Sequence, residues 1–328
     1  MHDSLEEHYR ARAEFRIWHE GETCHYAMNR LDKQGSTMIT ECPKVIVPIE
    51  KRMWRLLEAI NGSPVLSRKL FGIEFLATST DSCLVTMLYH RKLDAIWEAE
   101  AKQLEPLLDI SVIGRSRKQK VLLSRDFVTE QLTIDGHDYK YRYYEGGFTQ
   151  PNPTVNVKMI EWVTSRIAED RREDLLESYC GLGNFTLPLS KLFTKVLATE
   201  ISKNGIKAAK ENCQLNGVEN ISFVRLSSEE MTQALTGVRA FRRLEGTDLK
   251  AYDFSHVLVD PPRAGLDEDT IMLISGIETI LYISCNPETL SRDLEVLTRT
   301  HVVADATLFD QFPHTSHIES GVVLRRQA

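Results

Sequence analysis

Between residues 155 and 328, short apolar runs alternate with stretches of helical periodicity, and this alternation constrains the chain more than any other feature. The runs are Asp174–Tyr179, Val196–Thr199, Ile221–Val224, Phe254–Val259, Thr279–Ser284 and Val302–Leu308. Runs too short for helices, and apolar without strict alternation, read as strands buried on both faces. Intervening helices make crossovers, so the expected sheet is mainly parallel with helices on both faces. Such sheets bind ligands outside the carboxyl ends of their strands. The residues that end these runs are therefore where chemistry is expected.

The first half reads differently. Arg12–Trp18 approximates strand alternation, Ile73–Thr78 and Cys83–Tyr89 are β-branched and apolar, and Tyr139–Tyr144 is aromatic. Helical periodicity covers Ile49–Ile60 and Leu93–Leu108. Together these predict an α+β unit. Pro151 and Pro153 interrupt regular structure ahead of a helix over Val155–Ala168. The boundary is expected there, with an α+β domain over 1–147 and an α/β domain over 148–328.

A chain of 328 residues has material for two such domains. It contains no apolar stretch of about 18 residues, so no membrane span is expected. Its charged start lacks a secretory core, which predicts a cytoplasmic protein. The six cysteines form no CxxC pair, so neither a disulfide framework nor a metal site is expected.

The net charge of −7 argues against coating a polyanion. The acid is uneven, however: residues 1–150 carry 21 Lys and Arg against 22 Asp and Glu, whereas 151–328 carry 19 against 25. In the near-neutral half, Lys51, Arg52, Arg55, Arg68 and Lys69 form one basic region and Arg115, Arg117, Lys118 and Lys120 another. Either suits local contact with nucleic acid.

Three strand ends carry a cofactor signature. Leu175–Tyr179 runs into Cys180-Gly181-Leu182-Gly183, a tight turn whose backbone angles suit glycine and let a ligand approach closely. Glu200 ends the next strand, placed to accept hydrogen bonds from ribose hydroxyls. Residue 186 is Thr where a dinucleotide fingerprint has its third glycine, which favours S-adenosylmethionine, free of phosphate, over NAD. Asp260, opening Asp260-Pro261-Pro262-Arg263, falls at the same sheet edge.

Two further ends carry acid–base and nucleophilic groups. Cys285 follows Ile280–Ser284, and Asn286-Pro287 then stops the strand and exposes the thiol. Glu319 closes the polar loop Phe309–Ile318. A thiol and a carboxylate beside a methyl donor suggest methylation at carbon 5 of uracil, which is too weak a nucleophile unaided. Addition of Cys285 to carbon 6 gives an enolate whose carbon 5 takes the methyl group, and Glu319 then removes the carbon 5 proton. Arg263 is placed to stabilise the enolate or to help ionise the thiol.

These segments resemble the RNA uracil-5-methyltransferases, through Asp260-Pro-Pro-Arg-Ala-Gly265, Ile280-Leu-Tyr-Ile-Ser-Cys-Asn-Pro-Glu-Thr289 and Phe309-Asp-Gln-Phe-Pro-His-Thr-Ser-His-Ile-Glu319. His8–His19, Leu88–Asp94 and Phe148–Asn152 extend the likeness to the tRNA-specific branch over nearly the whole chain. The resemblance implies a Rossmann-like class I SAM-dependent methyltransferase domain preceded by a smaller α+β RNA-binding domain. It implies methylation of uridine 54 in the T-loop of tRNA, and of the equivalent uridine of tmRNA. It also implies that Gln150, Tyr179, Asn184, Glu200 and Asp260 contact the cofactor and that Arg16, Phe71 and His90 hold the T-loop.

No metal and no protein partner are implied. Relatives begin with a few tens of residues ahead of Tyr9-Arg10, which are nearly absent here, and this bears on part of the RNA-facing surface. Ribosomal branches carry a four-cysteine cluster or a leading β-barrel, for which this sequence has neither the spacing nor the room. The alternatives are rRNA methylation, or a tRNA folding aid in which methylation is secondary.

Overall fold

A computed structural model of the chain describes residues 1–30, 35–167 and 173–327. One seven-stranded sheet is made of β1 (Arg12–Glu20), β2 (Thr23–Asn29), β3 (Ser36–Met38), β4 (Leu70–Ala77), β5 (Cys83–Tyr89), β6 (Ser111–Ser116) and β7 (Gln119–Leu122). Its order is β3-β2-β1-β4-β5-β6-β7, and only β5 and β6 are parallel neighbours. Parallel neighbours need a crossover. It is supplied by α3 (Ala95–Leu108), which packs with α1 (Val47–Asn61) and the one-turn α2 (Pro64–Ser67).

The period of two decides which residue faces where. Ile73, Phe75, Val85, Met87 and Val112 share a core with Met53 and Leu56 of α1 and Trp97 of α3. Leu76, Leu84 and Ile113 fall on the other side, in a core shared with the second half. Gly114 lies under the Trp97 ring, where a Cβ would collide.

A hairpin of β8 (Phe127–Ile134) and β9 (His137–Tyr144) follows, closed by Asp135-Gly136, both at positive φ. The hairpin ends just before the expected boundary at 147/148, yet its Val128, Leu132, Tyr139 and Tyr141 pack with α4 (Pro153–Thr164) and the strands beyond it. The helix expected over Val155–Ala168 is α4, and Ala168 lies outside the described residues.

The second seven-stranded sheet alternates with helices: β10 (Asp174–Ser178), α5 (Thr186–Ser190), β11 (Lys195–Thr199), α6 (Lys203–Asn216), β12 (Ile221–Val224), α7 (Ser228–Leu235), β13 (Phe254–Val259), α8 (Glu268–Ile274), β14 (Thr279–Ser284) and α9 (Pro287–Leu297). Then come β15 (His301–Phe309) and β16 (Glu319–Arg326). The order β12-β11-β10-β13-β14-β16-β15 is parallel through β14, and β16 inserts antiparallel between β14 and β15. Strand order reverses between β10 and β13, the point at which such sheets open a ligand crevice. The fold is the Rossmann-like α/β fold expected for the second half.

Candidate active site

Of the expected cofactor residues, Tyr179, Glu200 and Asp260 directly follow β10, β11 and β13, and Asn184 lies between β10 and α5. Tyr179 leaves β10 at a φ of 64°, followed by Gly181 at 57° and Gly183 at 88°. Three left-handed residues in five make a hairpin-tight turn; a non-glycine there is uncommon, so Tyr179 is held by its surroundings. Its hydroxyl is 2.5 Å from Ser228 Oγ at the start of α7. A Cβ at Gly183 would sit 2.7 Å from a Leu187 methyl group, so the second glycine lets α5 close on the turn.

Glu200, one residue past β11, is fixed from both sides. Gly181 N–H donates to Oε2 at 3.1 Å and Ser202 N–H to Oε1 at 2.6 Å. Each oxygen keeps further acceptor capacity for a diol. Gly205 packs beneath, where a Cβ would lie 3.0 Å from the Glu200 side chain and 3.1 Å from Gly181 O. Gly181, Glu200 and Gly205 line a cleft of about 520 Å³ whose other wall includes Glu145 and the exposed Phe148. A carboxylate already oriented by two N–H donors fits the ribose end of S-adenosylmethionine.

Asn184 exchanges two hydrogen bonds with Asn156 of α4, at 2.9 and 2.8 Å. Gln150 Oε1 accepts from Gln311 Nε2 at 2.7 Å, which ties the segment before α4 to the loop between β15 and β16. Gln311 is fully buried and its Oε1 has no partner.

Strand register explains why residues 285 and 319, far apart in sequence, meet. The ladder between β14 and β16 ends at Ser284 opposite Ser320, so Cys285 and Glu319 are the next residues on each strand. Of the six thiols, only Cys285 is not buried. Burial pushes Cys24 up to about 11 and Cys83 and Cys213 up to about 12, which leaves them inert at neutral pH. The Cys285 thiol is also raised, by partial burial and by the charges of Glu319 and Asp260, with Arg263 acting in the opposite sense.

Glu319 is buried and pushed up to about 7 by desolvation, again opposed by Arg263. Asp260 is pushed up to about 8 by desolvation and by Glu319. A carboxyl poised near neutrality within reach of a half-exposed thiol is suited to proton transfer. The Arg263 guanidinium lies 3.0 Å from His317 Nδ1. It thereby joins the Asp260–Gly265 loop to the loop that leads into Glu319.

Two sets of residues here escaped the sequence reading. The Asp260–Gly265 loop is held by α9: Asn286 Nδ2 and Arg292 Nη2 donate to the carbonyls of Arg263 and Ala264, both at 3.0 Å. Asp293, fully buried, accepts from Leu266 N–H at 2.9 Å and from the Tyr282 hydroxyl at 2.7 Å. The signal was an acid on the buried stripe Leu290, Asp293, Leu297. The other is Glu177, a carboxyl inside the apolar run of β10, pushed up to about 8 by burial and then by Asp260. Its Oε2 has no hydrogen-bond partner.

In the first half, Arg16 pairs with Gly72 across β1 and β4, next to Phe71. Phe71 stacks on His90 with ring centroids 3.9 Å apart and planes at 15°. Arg16, Phe71 and His90 are all exposed. The basic region at 51–69 needs correction. Arg52 is buried and donates to Asp81 Oδ1 at 2.7 Å, to Leu108 O at 3.0 Å and to Pro48 O at 3.0 Å, so it clamps loops instead of meeting RNA.

Among the described residues no group of three or more His, Cys, Asp or Glu side chains is placed to hold a metal, and no helix is long and apolar enough to cross a membrane.

A protein of Sulfurovum sp. (strain NBC37-1), a tRNA/tmRNA (uracil-C(5))-methyltransferase, is 67% identical over all of this chain and 88% of its own length. A protein of the same description from Neisseria meningitidis serogroup B is 50% identical over all of this chain and 92% of its own length. The crystal structure of Pyrococcus abyssi tRNA (uracil-54, C5)-methyltransferase with S-adenosyl-L-homocysteine shares the fold, with a TM-score of 0.75 and 22% identity over 98% of this chain and 78% of that one. The family model for tRNA (uracil-5-)-methyltransferase matches residues 1–327, and the chain belongs to that family.

Proposed function

We propose that the protein transfers a methyl group from S-adenosylmethionine to carbon 5 of uridine 54 in the T-loop of tRNA, and to the equivalent uridine of tmRNA, through a covalent bond between Cys285 and carbon 6. The observation that carries this reading is the meeting of Cys285 and Glu319 at the ends of paired strands, beside Asp260 and the crevice. The named substrates of the relatives from Sulfurovum and Neisseria, and of the Pyrococcus enzyme, support the choice of RNA and of position. A tRNA-directed reaction makes the cytoplasm its place of action.

In this reading residues 148–328 carry the chemistry and 1–147 present the RNA, with Arg16, Phe71 and His90 holding the T-loop. Gln150, Tyr179, Asn184, Glu200 and Asp260 hold the cofactor, Glu200 by accepting from the ribose. The cofactor supplies an electrophilic methyl group on a sulfonium. The target uridine leaves its stack to reach the cleft. Cys285 adds its sulfur to carbon 6, and the electron pair of the 5,6 double bond moves toward oxygen 4 as the enolate. Arg263 is the nearby cation that favours both the thiolate and the enolate.

Once carbon 5 bears the methyl group, Glu319 takes its remaining proton. The electrons of that carbon–hydrogen bond restore the double bond and expel Cys285 as thiolate. A carboxyl near 7 is half ionised at neutral pH and is a stronger base than an ordinary glutamate.

The test is incorporation of tritiated methyl into T-arm minihelices by wild type and Cys285→Ala, with a minihelix lacking uridine 54 and an rRNA transcript as comparisons. Methylation of the first minihelix alone, lost in Cys285→Ala while RNA binding persists, is expected. Methylation of rRNA instead, or undiminished transfer by Cys285→Ala, refutes the proposal.

A further inference from the structure

A groove of about 920 Å³, separate from the crevice, lies on the first sheet and is lined by Phe71, His90, Lys92, Arg115, Arg117 and Lys118 among others. We infer that the opposite wall of this groove, the turn joining β6 to β7 together with Lys92, is a phosphate clamp that grips the substrate RNA backbone beside the base stacked on Phe71. The inference rests on the proposed reading that tRNA is the substrate.

The cations around the groove fall into two classes. Arg115 is committed to Glu145, with bonds of 2.5 and 2.6 Å, and Lys120 to Asp126 at 2.9 Å. Arg91 donates to the carbonyls of Arg68 at 3.0 Å and Val65 at 2.7 Å. Among the described residues, Lys92, Arg117 and Lys118 have no carboxylate partner, and all three are exposed. Three unneutralised cations on one wall, in a chain of net charge −7, are complementary to phosphate.

Their positions are fixed by the residues that flank them. Ser116 and Gln119 close the two-residue turn. Ser116 Oγ donates to Arg91 O at 2.5 Å. Gln119 exchanges bonds with the backbone of Leu93, at 2.9 and 2.8 Å. The tip carrying Arg117 and Lys118 is thereby locked to the segment carrying Lys92. Lys118 sits at a φ of 60°, where Asn or Gly is easier to accommodate. A cation kept there on a pinned turn is consistent with a charge requirement at the tip.

The floor supplies the matching aromatic surface. Because His90 covers one face of Phe71, an unstacked base extends that column as a third ring, and its neighbouring phosphates then face the cationic wall. A stacking floor with a basic wall fits a nucleic-acid strand better than an acidic peptide, which has no flat ring for the column.

The experiment measures tRNA binding by the full-length enzyme against KCl concentration, for wild type, Arg117→Gln/Lys118→Gln and Arg115→Gln. Each lost phosphate contact lowers the slope of log Kd on log salt by about 0.7 to 0.9. The double variant should therefore lose about 1.5 from the slope and bind about 30-fold more weakly at 0.1 M salt. Arg115→Gln should keep the wild-type slope, since its charge is already neutralised.

An unchanged slope in the double variant, with wild-type melting behaviour, overturns the clamp, as does an equal loss in Arg115→Gln. Absence of salt-dependent tRNA binding or of methyl transfer in wild type counts instead against the proposed function, so the two failures are distinct.

Discussion

Replacing Glu319 by Gln isolates one proton transfer. In the folded protein this carboxyl is pushed up to about 7 by desolvation. Its ionised fraction is then about one tenth at pH 6, one half at pH 7 and nine tenths at pH 8. An ordinary glutamate would be almost fully ionised throughout that range. If Glu319 takes the carbon 5 proton, that step should accelerate about 9-fold between pH 6 and pH 8 and level off above.

Tritium placed at carbon 5 of the uridine reports the step directly, because it reaches water only when the proton is removed. Gln cannot accept a proton, so release should fall by about 100-fold or more. Methylation precedes this step, so the variant should accumulate methylated RNA bound to Cys285, visible as a slow band in a denaturing gel. Adduct formation by the variant also reports the thiol's own pH dependence and separates it from that of the carboxyl. Wild-type release that is flat from pH 6 to 8, or release from the variant at the wild-type rate, refutes the assignment.

Glu177 makes a stability prediction. Its pKa is raised to about 8 in the folded chain, so its contribution is fully present below the unfolded value near 4.5 and is lost as pH rises toward 8. At 1.36 kcal/mol per unit this amounts to at most about 5 kcal/mol. Wild-type urea midpoints should therefore fall more steeply than those of Glu177→Gln between pH 5 and 8; parallel curves refute the account. Arg52→Met should cost about 3 kcal/mol in urea unfolding, because buried carbonyls lose their donor. It should leave the salt slope of tRNA binding unchanged, and a smaller slope would restore Arg52 as an RNA contact.

The second half was legible because a sheet covered on both faces demands unbroken apolar runs. Phe254–Val259 and Thr279–Ser284 match the observed strands residue for residue. The first half was less so. β8 was not foreseen, since Glu130 interrupts its apolar alternation; in the fold that carboxylate is buried and accepts from Ser79 N–H at 3.0 Å and Ser79 Oγ at 2.6 Å. β6 and β7 were masked by the basic run that caps them. Helices α1 and α3 were found because one-sided burial imposes a 3.6-residue period that needs no knowledge of the partner.

By itself the sequence determined the parallel sheet, the residues at its strand ends and, through the three long segments carrying Asp260, Cys285 and Glu319, the family. Those are local properties: periodicity, turn chemistry and residue type at fixed spacing. Only the tertiary structure decided which charges are available. Arg52, Arg115 and Lys120 read as basic surface in the sequence, yet each finds a carboxylate across a loop or hairpin, while among the described residues Lys92, Arg117 and Lys118 do not. Pairing depends on which strands become neighbours, and so does the proton affinity of Glu319. Its base strength comes from desolvation and is tempered by Arg263, more than fifty residues earlier in the chain.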